Sequence, residues 1–318
     1  HAGTPSKWKA APFLSDTIAH IFANDRPDLL CILGDRFELM SACLVATIYQ
    51  IPIAHVSGGD ITEGAIDDCI RHAISKMSSL HFPGIRASAE VLVQMGENPQ
   101  NIHVVGELGI ESFINSPVHT REVLSIDLNL NPLKKWCILT FHPETKNPIE
   151  KDINNLSNVL EFLKSIKDIE VLMTYPNGDL GHSQIVNLLQ KTQASSPDKF
   201  KLVKNLGSIR FAAFLKECHL MIGNSSSAFF EAPSAKLPCI NIGSRQKGRV
   251  CPDNVITATG QLESIQNAYS SILSQNFQRK LQALINPYGD GQTSSHIVEI
   301  LKKTDLNSIK IKKFHRLT

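Results

Sequence analysis

A short apolar run, Leu220-Met221-Ile222, ends in Gly223-Asn224-Ser225-Ser226-Ser227, with Glu231 a helical turn further on. A strand that turns through Gly and Asn into a serine-rich helix start directs backbone N–H groups, hydroxyls and the positive end of a helix dipole at one spot. That chemistry suits a phosphate. A carboxylate on the following turn is spaced to accept hydrogen bonds from a sugar diol attached to the same phosphate, so the pair reads as a nucleotide clamp. The structural alternative is a serine or asparagine N-cap beside a solvated glutamate.

Five other apolar runs end in comparable chemistry. Leu33 is followed by Gly34-Asp35-Arg36-Phe37-Glu38, and Val56 by Ser57-Gly58-Gly59-Asp60 with Glu63 beyond. Phe141 is followed by His142-Pro143-Glu144-Thr145, Tyr175 by Pro176-Asn177-Gly178-Asp179, and Ile242 by Gly243-Ser244-Arg245-Gln246-Lys247-Gly248-Arg249. Gly, Asp and Asn commonly serve strand-to-helix turns without any chemical role. Titratable groups in all six loops point instead to a shared cleft, because open α/β sheets bind ligands beyond the carboxyl ends of their strands. The segment Asp67-Asp68-Cys69-Ile70-Arg71-His72 adds i,i+4 pairs of Asp67 with Arg71 and Asp68 with His72. Its acidic first turn follows the Gly58-Gly59-Asp60 loop, which sets Asp67 and Asp68 toward Asp35. Converging carboxylates suit proton transfer at a sugar carbon, although a surface ion-pair face would look the same in sequence. His142, wedged between a strand and Pro143, reads as a phosphate or leaving-group contact, whereas His55 and His81 read as strand residues.

The elements that must position these groups alternate apolar runs with amphipathic segments, the pattern of βαβ units with parallel sheets. The first half predicts strands over 29–33, 51–56, 80–82 and 102–105, and helices over 7–24, 37–49, 66–77 and 86–95. The second predicts strands over 137–141, 171–175, 201–203, 220–222 and 239–242, with helices over 155–166, 184–192, 209–217, 227–235, 262–273 and 294–303. The polar stretch 116–135, with Pro117 and Pro132, reads as an irregular junction between an N-terminal Rossmann-like domain (1–115) and a C-terminal one (136–292), followed by a helix and tail (293–318). The chain has 318 residues, 42% of them hydrophobic, and a net charge of +2, which permits two α/β cores and recommends no nucleic-acid surface. No apolar stretch is long enough to span a bilayer and no signal peptide opens the chain. Seven cysteines without a C-x-x-C pair suit buried thiols in a reducing cytoplasm and speak against structural zinc.

Taken in order, these motifs resemble the hydrolysing UDP-N-acetylglucosamine 2-epimerases, enzymes that make precursors of sialic and legionaminic acids. The resemblance runs from about residue 28 to 291. It rests on Gly34–Glu38, Ile53–Asp60, Glu63–Asp68, Arg71–Met77 and His81-Phe82 in the first half. In the second half it rests on Phe141–Thr145, Tyr175–Asn177, Gly223–Ser227, Glu231 and Asn241–Arg249. It implies two Rossmann-like domains of GT-B type with a UDP-sugar in the interdomain cleft, no metal and no cofactor, and a homodimer or homotetramer. Carried over by position, Gly223, Asn224, Ser225, Ser226 and Ser227 would bind the diphosphate, Glu231 the ribose, and Arg249 the nucleotide side of the cleft. Asp35, Asp67 and Asp68 would supply acid and base, with Asp60 beside the sugar, His142 near the departing diphosphate and Arg36 orienting the group. The implied route is elimination of UDP to a 2-acetamidoglycal, then hydration with inversion at C2.

The chain departs from the family pattern at two places. Relatives often carry Glu or His where Ser57 stands, so Asp60 or Glu63 would substitute, or the position is not essential here, or the pocket takes another sugar such as a UDP-2,4-diacetamido-2,4,6-trideoxyglucose. Residues 1–28 match neither the family's first strand nor its Gly-Thr-Arg loop. A GT-B glycosyltransferase and a non-catalytic UDP-sugar-binding protein are the alternative readings; the acidic trio favours epimerisation over the first.

Overall fold

The computed structural model describes residues 4–61, 66–144 and 148–316. In chain order the elements begin α1 (Thr4–Asn24), β1 (Leu30–Leu33), α2 (Phe37–Ile48), β2 (Ile53–Val56), α3 (Ile66–Met77), β3 (Leu80–Phe82) and α4 (Arg86–Gln94). They continue through α5 (Leu108–Ile114), α6 (Arg121–Leu128), β4 (Lys135–Thr140), α7 (Ile149–Ser165), β5 (Ile169–Thr174), α8 (His182–Ser195), β6 (Phe200–Val203), α9 (Gly207–Glu217) and β7 (Leu220–Gly223). The last are β8 (Cys239–Ile242), β9 (Val255–Ala258), α10 (Leu262–Ile272), α11 (Gln275–Ala283), α12 (Thr293–Lys303) and α13 (Leu306–Ile309). The chain forms two compact units, one of residues 1–111 with 288–318 and one of Ser112–Pro287. Both carry parallel sheets flanked by helices, the α/β class that the alternating pattern predicts.

The second unit has a six-stranded sheet of order β6-β5-β4-β7-β8-β9, parallel throughout. Counted from β4 this is the doubly wound order 3-2-1-4-5-6, whose direction reverses between β4 and β7. Strands β5, β7 and β8 are buried along their whole length and β4 over all but its first residue, as strands covered by helices on both faces must be. Their apolar side chains share one core with Leu156, Val159, Leu160 and Leu163 of α7 and Ile265 and Ala268 of α10.

The first unit's sheet is β1-β2-β3, also parallel, and Ile102 adds a single parallel bridge to His81. Helices α12 and α13 return to it: Ile297 and Ile309 join Val56, Leu80 and Phe82 in one apolar cluster. The tail then ties down α3, with Lys312 Nζ donating to the carbonyls of Ser75, Lys76 and Ser78 at 3.1, 2.7 and 2.6 Å and pairing with Glu97 at 2.6 Å.

Differences from the sequence reading have local causes. Residues 102–105 form one parallel bridge, Ile102 to His81, with the Val105 amide still donating to the Pro83 carbonyl at 3.1 Å, and turn away at Gly106, whose φ is +87°. The predicted helix over 227–235 is instead a 3₁₀ turn, Ser226–Ala228, followed by irregular turns. Pro233 offers no N–H, and its ring would meet the carbonyl of Phe229 in an α-helix. Inside the stretch read as irregular, Thr120 caps α6 and Asn129 ends it at φ +53°. Arg121, the first residue of that helix, lays its guanidinium 3.7 Å from the ring centre of Trp136. The thiols are all free, but Cys31, Cys69 and Cys251 are exposed rather than buried. Cys31 lies on an edge strand and Cys251 in a loop, positions that composition does not reveal.

Candidate active site

In the second unit the chemistry gathers at the switch point. Strand β4 ends toward His142 and β7 toward Asn224, and a fully buried Asn224 joins them. Its Oδ1 accepts the His142 amide at 2.7 Å and its Nδ2 donates to the His142 carbonyl at 2.8 Å. Gly223 permits this seam: its φ is +134°, and a Cβ there would stand 1.9 Å from the Thr140 carbonyl oxygen. Ser225 Oγ caps the short turn by accepting the Ser227 amide at 3.3 Å. The amides of Ser225 and Ser226 take no acceptor among the described residues, which leaves a small nest of donors. Arg245 lies against the same loop, donating to the Asn224 carbonyl at 3.2 Å, and Gln246 donates to it at 2.9 Å. Glu144 fixes the Arg245 loop by accepting the amides of Ser244 and Arg245 at 3.1 and 3.2 Å.

Two titratable groups in this cluster are tuned by burial. His142 is pushed down to about 4, first by desolvation and then by the Arg245 charge. Its Nδ1 accepts the Asn177 amide at 3.0 Å, so the neutral ring carries its proton on Nε2 and can only donate there. Glu231 is raised by burial, against hydrogen bonds from its own amide and the Ser227 hydroxyl. Its Oε2 is buried with no partner among the described residues. A buried carboxylate oxygen without a donor is costly unless a ligand supplies one. Arg249 is exposed and stacks 4.8 Å from the ring centre of Phe230.

In the first unit, Arg71 of α3 is the organiser. Nine-tenths buried, it donates to Asp35 Oδ2 through Nε at 2.9 Å and also through Nη2. The same guanidinium donates to the Asp60 carbonyl at 2.7 Å and lies 3.6 Å from Asp68. Asp68 also sits 3.6 Å from His72. The loops are held by His55, whose Nε2 donates to the Gly34 carbonyl at 2.9 Å while Nδ1 accepts from Ser75 Oγ at 2.9 Å. A Cβ on Gly58 would come within 2.7 Å of that Nδ1. Ser57 Oγ donates to Glu107 Oε2 at 2.8 Å. His81 donates to Glu97 from its strand.

Asp35 and Asp68 are thus brought together, and Asp60 joins them through its backbone while its side chain accepts from Ser88. Asp67 is exposed, and in place of the predicted Asp67–Arg71 pair Arg71 pairs with Asp68 at i,i+3. Arg36 turns to Glu38 at 2.7 Å, and the guanidinium that meets Asp35 belongs to Arg71. Glu63 lies outside the described residues, as does Thr145. Sequence reasoning does not single out Arg71, Arg245 or Glu107 as site residues. Each follows or faces a strand-end loop that it does single out, and only the fold decides which side chain turns inward.

The family model described as UDP-N-acetylglucosamine 2-epimerase matches residues 13–302. The chain is 35% identical to the GDP/UDP-N,N'-diacetylbacillosamine 2-epimerase (hydrolyzing) of Campylobacter jejuni, over 92% of this chain and 76% of that protein. It is 33% identical to the UDP-N,N'-diacetylbacillosamine 2-epimerase (hydrolyzing) of Legionella pneumophila, over 91% and 74%. Against polysialic acid biosynthesis protein P7 of Escherichia coli the identity is 31% over 90% and 73%. The fold is that of the UDP-GlcNAc 2-epimerase from Neisseria meningitidis bound to UDP-GlcNAc, with a TM-score of 0.77, 18% identity and coverage of 96% of this chain and 84% of that one. The chain therefore belongs to the UDP-N-acetylglucosamine 2-epimerase family.

Proposed function

We propose that this protein is a hydrolysing 2-epimerase that converts a UDP-2-acetamido sugar to UDP and the free manno-configured sugar, for nonulosonic acid synthesis. The observation that carries this reading is Arg71 drawing Asp35 and Asp68 together, in a chain whose other unit holds a donor nest and a buried carboxylate in want of hydroxyls. A glycosyltransferase would need the nest but not the paired aspartates.

The C2 hydrogen of such a sugar has no adjacent carbonyl, so removing it alone yields no enolate. Loss of UDP from C1 solves this: a base takes the C2 proton, the C–H electron pair becomes the C1=C2 bond, and the C1–O pair leaves with UDP. Positive charge developing at C1 is tolerated near carboxylates, as in glycoside hydrolysis. The amides of Ser225 and Ser226 with Arg245 take the diphosphate charge, Glu231 accepts the ribose hydroxyls, and neutral His142 donates through Nε2 to the leaving oxygen. Water then adds at C1 and a proton at C2 from the opposite face, with Asp35 and Asp68 in the acid–base roles.

The names of the Campylobacter and Legionella relatives favour UDP-2,4-diacetamido-2,4,6-trideoxyglucose over UDP-N-acetylglucosamine. Incubation with each sugar in deuterated water tests the reaction. Deuterium at C2 of a released manno-configured sugar supports it, whereas retained hydrogen, or UDP binding without sugar release, sinks it. A cytoplasmic setting fits seven free thiols. A homodimer or homotetramer is expected, and light scattering of the purified protein checks it.

A further inference from the structure

We infer that Glu107 is a catalytic carboxylate of this reaction, seated by Ser57 as its positioning residue, and that it removes the C2 proton in the elimination step. The inference rests on the proposed reaction. Inversion at C2 takes a proton from one face of the ring and returns one to the other. One carboxylate cannot reach both faces of a ring anchored by its diphosphate, so two independently held proton-transfer groups are required. Asp35 and Asp68, bridged by Arg71, form one of them.

Glu107 has the marks of the second. Ser57 follows β2 at the carboxyl edge of the same sheet whose β1 leads to Asp35. Its φ of +59° is a left-handed conformation that is strained for a non-glycine residue, and in it the hydroxyl meets Glu107 Oε2 at 2.8 Å. Gly84, following β3, makes the room: a Cβ there would lie 1.8 Å from Glu107 Oε1. The main chain is pinned as well. The Glu107 amide donates to the Tyr288 carbonyl at 2.7 Å, and Gly106 packs so closely on Gly289 that a Cβ would be 3.0 Å from its Cα. Glu97 shows the contrast, being almost fully buried beneath His81, Lys76 and Lys312, as a structural carboxylate should be. Glu107 stays partly open to solvent.

Glu107 accepts the C2 proton, the C–H pair forms the C1=C2 bond, and the C1–O pair departs on UDP; Glu107 then releases its proton to solvent. In the second step an acid of the Asp35–Asp68 pair protonates C2 while a water oxygen bonds to C1, and the water's proton restores the pair. Ser57 therefore does not replace a carboxylate at the end of β2. It holds one that arrives from another segment.

Glu107→Gln should lower kcat with the UDP-sugar at least about a hundredfold while UDP affinity stays within about twofold. Supplied with UDP and the 2-acetamidoglycal, the same variant should still hydrate it, whereas Asp35→Asn should not. Moving the carboxylate, in the double variant Ser57→Glu/Glu107→Gln, should restore at least about tenfold of the lost kcat, a rescue that a structural role would not give. Near-wild-type turnover by Glu107→Gln, loss of glycal hydration by that variant, or absence of rescue overturns the inference. Failure of the wild-type protein to release free sugar would overturn the proposed reaction instead, and so is told apart.

Discussion

Truncating Asn224 to alanine would strand two main-chain groups at the junction of β4 and β7. Asn224 is fully buried, and its amide accepts from the His142 N–H at 2.7 Å and donates to the His142 C=O at 2.8 Å. Each orphaned group costs about 1–3 kcal/mol. Because His142 is only partly buried, water recovers some of that, and about 2–4 kcal/mol in total is expected. In a unit the size of Ser112–Pro287, about 1 kcal/mol moves Tm by about 2–4 °C, so thermal unfolding should begin about 4–16 °C lower. UDP binding, read by titration calorimetry, should weaken about tenfold or more, since the Ser225–Ser226 nest and Arg245 both depend on the same residue. Asn224→Asp is the matched control. It keeps the shape and can accept from His142 N–H, yet it puts an oxygen where Nδ2 faced a carbonyl, so it should fall at least as far. A Tm within about 2 °C of wild type, with UDP affinity intact in the alanine variant, would refute the claim that this side chain builds the clamp.

Three other outcomes are expected. Glu231→Gln should weaken UDP about 10- to 100-fold but leave 2′-deoxy-UDP less affected, and wild-type affinity should decline as falling pH protonates the raised Glu231; equal losses for both nucleotides would exclude a ribose contact. His55 is held near 4 against an ordinary 6.5, so its contribution is fully present above pH 6.5 and fades as pH falls toward 4, by about 2–3 kcal/mol at pH 4.5. The gap in unfolding free energy between wild type and His55→Gln should narrow accordingly, and a gap constant from pH 7 to 4.5 would contradict the assignment. Lys312→Met should lower stability by about 2–3 kcal/mol in denaturant titration, because the carbonyls of Ser75, Lys76 and Ser78 and the Glu97 carboxylate lose one shared donor; a change under about 0.5 kcal/mol would show the tail to be ornamental.

The sequence is most legible where periodicity and position agree. Helix α3 and strands β3 and β8 begin and end where the pattern places them, since Gly and polar residues punctuate clean apolar runs. Strand β9 and helix α11 leave little trace in the pattern: β9 is four residues long with only its ends buried, and α11 is announced by little beyond the Ser274 cap. Side-chain partners are harder. Spacing on α3 offers Arg71 to Asp67, but burial turns Arg71 toward Asp35, a group 36 positions away that only the β1–β2 register brings near. The Ser57–Glu107 contact spans 50 positions and cannot be read from any local pattern.

The serine cluster reads in sequence as a helix start whose dipole draws in phosphate. A three-residue 3₁₀ turn aligns too few peptides for that, since the macrodipole needs a run of stacked units. Anion affinity must then come from local donors, and Arg245 is the strongest of them. A guanidinium about 4 Å from a phosphate oxygen, at an effective dielectric near 20, contributes about 4 kcal/mol before its own desolvation, which here already lowers Arg245's affinity for its proton. Arg245→Met should therefore weaken UDP by about 2–3 kcal/mol, or about 30- to 150-fold, whereas Ser226→Ala keeps the amide, removes only a neutral hydroxyl and should cost about tenfold at most. Calorimetric titrations from low to high salt separate the two further: the arginine variant should lose much of the salt dependence of UDP binding and the serine variant should keep it. If Ser226→Ala proved the more damaging, the clamp would hold its anion by geometry rather than charge, and Arg245 would not be its main donor.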